Sequence, residues 1–211
     1  MPAHGAIGEP TEVAEAHYEA GESRGDIGLR ELFAAMPERH RAVSARRVSR
    51  CGFMDKDFVA SSDRPAVVAA ALDAVLNTTG TDMGKVQLRD EASGQLRIES
   101  HRGLNSRFVD YLASVRDIES ASGYPLARGH RIIVRDVAQS RIFPCDAREV
   151  VLTSGARSVQ ATPVIGSSGR LLGLLSTHHD TARRPENLEL RLLDHVAQWI
   201  ARLVEPSARV R

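Results

Sequence analysis

The 211-residue sequence is short of the residue types that usually announce a chemistry: two cysteines, one tryptophan, and aromatics at 4%. Cys51 and Cys145 lie far apart with no paired motif, which excludes a disulfide framework and a cysteine-built zinc site and leads us to expect a reduced, cytoplasmic setting. No run approaches the roughly 18 apolar residues that cross a bilayer; the most apolar stretch, residues 170–175, is strand-sized, so no membrane association is expected. The opening MPAHGAIGEP has neither a basic n-region nor an apolar h-region, so no secretory leader is expected. Excess charge is missing too: 28 Lys and Arg face 27 Asp and Glu, a net +1 that gives no reason for a face to grip a phosphate backbone. Nucleic acid is therefore not an expected partner. Neither Ser–His–Asp spacing nor a P-loop occurs.

What is present suits a folded domain, with 42% hydrophobic and 26% charged residues. The first 26 residues carry Glu9, Glu12, Glu15, Glu19, Glu22 and Asp26 against Arg24 alone and read as a mobile acidic arm. Leu29, Leu32, Phe33 and Met36 then fall on one helical face, and Pro37 interrupts before the basic stretch ERHRAVSARRVSR. That stretch reads as a solvated helix face. Its arginines have no interleaved aromatics to stack on bases, which argues against RNA. We divide the chain into an N-terminal extension (1–60), one domain (61–206) and a short tail (207–211).

Within the domain, Asp63 is placed to cap a helix with Pro65 in its first turn; Val67, Val68, Ala71, Leu72, Val75 and Leu76 repeat at helical spacing up to Gly80. Residues 85–90 and 95–100 form a hairpin about a turn ending in Gly94. A helix over 107–114 buries Phe108, Tyr111 and Leu112, and the β-branched run 132–134 follows a small-residue loop. A short helix at 149–153 precedes a second hairpin, 158–165 with 171–177. Pro185 opens a final helix striped by Leu188, Leu192, Val196, Trp199, Ile200 and Leu203, which Pro206 stops. Helix, hairpin, helix, strand, helix, hairpin, helix is an α+β order with an antiparallel sheet, not alternating βαβ units.

Residues 63–205 resemble the GAF domains, sensor modules of histidine kinases, phosphodiesterases and phytochromes. The likeness is carried by GKVQLRD (84–90) with GQLRI (94–98), IVRDV (133–137) with Phe143, GARSVQATPV (155–164), GRLLGLLSTH (169–178) and LRLLD (190–194). It implies a GAF-like sheet of five or six antiparallel strands flanked by helices. Such pockets take cyclic nucleotides, bilins, haem and small metabolites, so the resemblance leaves the ligand unnamed. In phytochrome-like members a cysteine about ten residues before a Gly–Val/Ala turn attaches the bilin, and Cys145 stands so before Gly155. Asp146 replaces the histidine that follows that cysteine, however, and RDVA (135–138) stands where Asp–Ile–Pro is found, so no covalent bilin is expected.

A twisted sheet covered by helices on one face can leave a pocket under crossing loops on the other. The segment 120–146 is the expected cover. Candidate ligand-binding residues are Tyr124, Asp136, Phe143, Gln160, Thr162, Ser176 and His178. In strand 158–165 Ser158, Gln160 and Thr162 share one face and Val159 and Ala161 the other; the polar set meets either water or a ligand. His178 and His179 point to opposite faces and make poor joint metal ligands, His101, His130 and His195 stand alone, and no metal site is expected.

The expected function is a non-catalytic sensory module that binds a small molecule and signals to a partner protein such as a histidine kinase or regulator. Alternatives are a scaffolding module with a vestigial pocket, or an enzyme like free methionine-(R)-sulfoxide reductase, which needs pocket cysteines; Cys145 alone lies in the domain. No output region is expected after Glu205, so the signal must leave through a partner or a dimer. The last helix is apolar over more than one sheet face covers. We expect a homodimer through the terminal helices; the alternative is that the helix at 29–36 folds back over the surplus.

Overall fold

Turn and cap chemistry sets where the elements begin and end. The computed structural model describes residues 25–36, 51–114 and 129–205. Among them run α1 (Gly25–Ala35), a 3-10 turn (Gly52–Met54), α2 (Lys56–Ser61), α3 (Arg64–Thr79), β1 (Met83–Arg89), β2 (Leu96–Arg102), α4 (Ser106–Ser114), β3 (Ile132–Val134), α5 (Cys145–Thr153), β4 (Ser158–Ile165), β5 (Leu171–His179) and α6 (Asn187–Val204). The Asp63 carboxylate accepts from the Ala66 amide at 2.8 Å, satisfying one orphan donor of the first turn of α3. Gly80 ends that helix at φ 71°, the left-handed conformation open to glycine, and its amide donates to the Leu76 carbonyl at 3.0 Å. In the first hairpin Asp90 accepts from the Ser93 amide at 2.8 Å and the Ser93 hydroxyl at 2.6 Å, closing the turn.

The strands form one antiparallel sheet in the order β2-β1-β5-β4-β3. The α+β class and the antiparallel sheet expected from the sequence are those observed, with five strands. Register sorts the side chains. Gly84, Val86 and Leu88 of β1 stand opposite Thr177, Leu175 and Gly173 of β5, which stand opposite Gln160, Thr162 and Val164 of β4. These project to the face carrying α1, α3 and α6. Met83, Lys85 and Gln87 stand opposite His178, Ser176 and Leu174, and these opposite Val159, Ala161 and Pro163. They project to the distal face, which carries α4 and α5.

Each face has its own apolar cluster. On the helix face Val68, Leu72 and Val75 of α3 meet Val86, Leu88 and Leu175 of the sheet and Leu192, Val196 and Ile200 of α6, all buried. Gly84 permits this close approach: a Cβ there would lie 2.7 Å from Leu76 Cδ2. On the distal face Phe108, Val134, Val137, Val150, Val151 and Leu174 pack together.

Residues upstream of 61 contribute to the same core. Leu29 and Phe33 of α1 and Met36 just after it are buried in the helix-face cluster, against which Trp199 and Leu203 of α6 also pack. Phe33 meets Phe53 edge-on at 5.9 Å between centroids, and Phe53 meets Trp199 edge-on at 4.8 Å. Part of the apolar surface of α6 is thus covered within the chain by α1, the helix expected at 29–36, while Trp199 and Leu203 stay half-buried. Residues 1–24, the basic stretch and the tail lie outside the described residues. Among the described residues no helix is long and apolar enough to cross a membrane.

Candidate functional site

Two buried polar groups of residues lie back to back across the sheet. On the helix face the Gln160 amide donates to Thr177 Oγ1 at 2.7 Å and to Glu189 Oε1 at 2.7 Å. Glu189, on the first turn of α6 and 1% exposed, is gripped by Arg183 at 3.0 and 2.5 Å, a bidentate pair. Arg183 also lies 2.8 Å from His179 Nε2. Arg131 donates to Thr162 Oγ1 at 3.1 Å and to the Leu190 carbonyl at 2.9 Å, and it pairs with Asp194. Burial pulls the Arg131 guanidinium below its usual range, against the opposing pull of Asp194 and Glu189. Burial likewise raises the Asp194 carboxyl. This group ties β3, β4 and β5 to α6, and its charges pair with one another.

The distal group is different in kind. Lys85 and Gln87 of β1 and Ser176 and His178 of β5 are all buried. The Lys85 ammonium donates to Gln87 Oε1, a neutral acceptor, and no ion pair of Lys85 occurs among the described residues. Burial alone lowers its pKa from 10.5 to about 7. His178 is 2% exposed, and neither ring nitrogen has a hydrogen-bond partner among the described residues. Burial first, then the charges of Lys85 and His179, push its pKa down to about 3, so the imidazole is neutral. Phe108 of α4 meets the ring edge-on at 5.4 Å, and the Thr81 hydroxyl holds the His178 carbonyl. Buried polar atoms are almost always paired in native proteins, so an imidazole with two open positions is an exception that calls for a reason.

The expected site residues are divided by this geometry. Ser176 and His178 share the distal face. Phe143 packs against the distal cluster, and its carbonyl accepts from Arg148 at 3.2 Å. Asp136 is bound by Arg157 at 2.6 and 2.9 Å and by the Ala138 amide at 3.0 Å, contacts that hold its carboxyl below the usual carboxylate range. Gln160 and Thr162 stand on the opposite face, bonded to Glu189 and Arg131, and do not join Ser176 and His178. Tyr124 lies outside the described residues, as does 120–128 of the expected cover. Lys85, Gln87 and Phe108 complete the distal group and were not foreseen. The signal for the first two was two polar residues at alternate positions of an otherwise apolar strand, GKVQL.

Among the described residues no three His, Cys, Asp or Glu side chains gather to hold a metal ion. Cys51 packs against the helix-face cluster, whereas Cys145 is exposed at the start of α5 on the other side of the sheet.

The GAF domain family model matches residues 63–204. Solved structures of similar fold include a domain described as belonging to a two-component sensor histidine kinase of Sinorhizobium meliloti, 24% identical at a TM-score of 0.55 over 67% of this chain and 90% of that one. The GAF domain of a phosphoenolpyruvate-protein phosphotransferase from Coxiella burnetii is 14% identical at a TM-score of 0.59 over 86% of this chain and 95% of that one. Free methionine-R-sulfoxide reductase from Neisseria meningitidis is 17% identical at a TM-score of 0.54 over 78% of this chain and 95% of that one. At these identities the likeness shows the fold alone. No curated protein matches the chain.

Proposed function

The chain belongs to the GAF domain family, and from that premise we propose that it is a non-catalytic, cytoplasmic sensor that binds a small molecule on its distal sheet face and passes the change through α6 to a partner protein. The observation that carries this reading is His178, a buried imidazole with both nitrogens open beside a buried lysine that has no counter-ion among the described residues. A module with a vestigial pocket has no use for such groups, and drift would replace them with apolar side chains. The thiol enzyme is disfavoured by the two cysteines lying on opposite sides of the sheet, where no resolving disulfide can form.

The route outward is short. His178 faces the ligand side and its neighbour His179 faces the helix side, next to Arg183 and Glu189. A shift of β5 at the ligand is a shift of the anchor of α6. The receiving protein, a histidine kinase or regulator or a second copy of this chain, engages the terminal helices. Native mass spectrometry of the full chain, with and without a His178→Phe substitution, tests both points. An organic mass on the wild type that the variant lacks supports the sensor, and the copy number reads the dimer directly. Clean, identical apo masses, with no stabilisation of either protein by a metabolite library, would leave the scaffold standing.

A further inference from the structure

We infer that the ligand of the distal face is a small organic acid, its carboxylate seated against the Lys85 ammonium with Gln87 and His178 beside it. This rests on the reading of that face as the ligand site. Lys85 is 6% exposed on β1, which is hydrogen-bonded on both sides, to β2 and β5. Its one described bond goes to an uncharged amide oxygen. Lysine is almost never fully buried without an anion, because desolvation of the ammonium is compensated by little else. The missing anion is the simplest ligand for the site.

The surroundings agree. The groups on the elements packed over this face are engaged elsewhere: Arg107 of α4 with Glu149 of α5, and Arg148 with the carbonyls of Ser140 and Phe143. Tyr111 faces Asp146, and burial with that carboxylate raises its pKa. Asp110 and Asp146 are exposed, as is His101 on β2, across from Lys85. Among the described residues, the two buried bases Lys85 and His178 therefore face no acid. A cationic ligand would add repulsion, and a neutral one would leave the ammonium uncompensated. An acid removes the imbalance.

Register limits the size of the charged head. Met83, Lys85 and Gln87 face His178, Ser176 and Leu174 in three successive rows, with Val159, Ala161 and Pro163 beyond on β4. Lys85 and His178 are one row apart, about 7 Å along the strands, and Lys85 supplies the only buried ammonium among the described residues. One cation in so small a frame suits one carboxylate and not a polyphosphate. The apolar neighbours Phe108, Val159 and Ala161 suit a carbon body, and the second nitrogen of His178 suits a hydroxyl or amide on it.

The test uses the full chain and defined probes: acetate, butyrate, benzoate and phenylacetate, each beside its amide and its amine, with cyclic AMP as the phosphodiester alternative. Saturation-transfer NMR and thermal shift are run on wild type, Lys85→Met, Lys85→Gln and His178→Phe. We expect transfer to at least one carboxylate, none to its amide or amine, and about ten- to hundredfold weaker binding in both Lys85 variants, as loss of a charged hydrogen bond implies. An amide that binds as tightly as its acid, cyclic AMP in place of every carboxylate, or acid binding that survives both substitutions would overturn the assignment and leave the sensor reading intact. If no probe binds and His178→Phe also leaves the native mass unchanged, both readings fall.

Discussion

Replacing Lys85 with methionine should stabilise the unliganded protein, and by an amount that depends on pH in a defined way. Lys85 has its ordinary pKa of 10.5 in the unfolded chain and one of about 7 when folded. Between those values the unfolded state binds the extra proton, so stability rises with pH across that window and is lowest below it. The difference of about 3.5 units corresponds to about 5 kcal/mol of destabilisation near pH 6, falling to about 2 kcal/mol near pH 9, at about 1.4 kcal/mol per unit. The Lys85→Met variant loses the bond to Gln87, about 1 kcal/mol, and keeps most of the side-chain volume.

The net expectation is a variant more stable than wild type by about 4 kcal/mol near pH 6 and about 1 kcal/mol near pH 9. Urea unfolding of both proteins at the two pH values, followed by far-UV circular dichroism, measures it. A gap that does not change with pH, or a variant less stable at both values, would refute the claim that Lys85 is buried as an uncompensated base.

Two further expectations follow from the helix face. Gln160→Leu removes a donor to Glu189 and Thr177, leaves a buried carboxylate short of one hydrogen bond, and should lower stability by about 1–3 kcal/mol in urea while carboxylate binding on the distal face persists; intact stability with binding lost would reverse the assignment of faces. Phe33→Ala should weaken docking of α1 by about 3 kcal/mol, seen as earlier proteolytic cleavage upstream of Phe53; unchanged cleavage would mean that α1 is not held by the Phe33, Phe53 and Trp199 contact.

Most of the fold was legible because its signals are local. The Asp63 cap, the Gly80 stop, the Asp90–Gly94 turn and the apolar stripe of α6 each follow from a few neighbouring residues. The alternation in β4 was legible too, with Ser158, Gln160 and Thr162 on one side. Which side they share with β5 was not, since that depends on register, and register places Gln160 opposite Thr177 and not opposite Ser176. Lys85 and Gln87 escaped for a related reason. Polar residues at alternate positions in a hairpin strand normally face water, and only the strand order, which sets β1 between β2 and β5 with both faces covered, makes them exceptional. The docking of α1 was open because a helical period says that a face is apolar without saying what it meets.

The aromatic contact between Phe53 and Trp199 has an optical consequence. Trp199 is the sole indole of the chain and its edge-on neighbour belongs to the segment that follows α1, so the protein's tryptophan emission, excited apart from that of the three tyrosines, arises at a single junction between the N-terminal extension and the C-terminal helix. Its wavelength, quantum yield and anisotropy therefore report the seating of that extension on the C-terminal helix, without any introduced dye. A fluorimeter can follow, in a cuvette and in real time, whether a compound added to the protein loosens or tightens that junction.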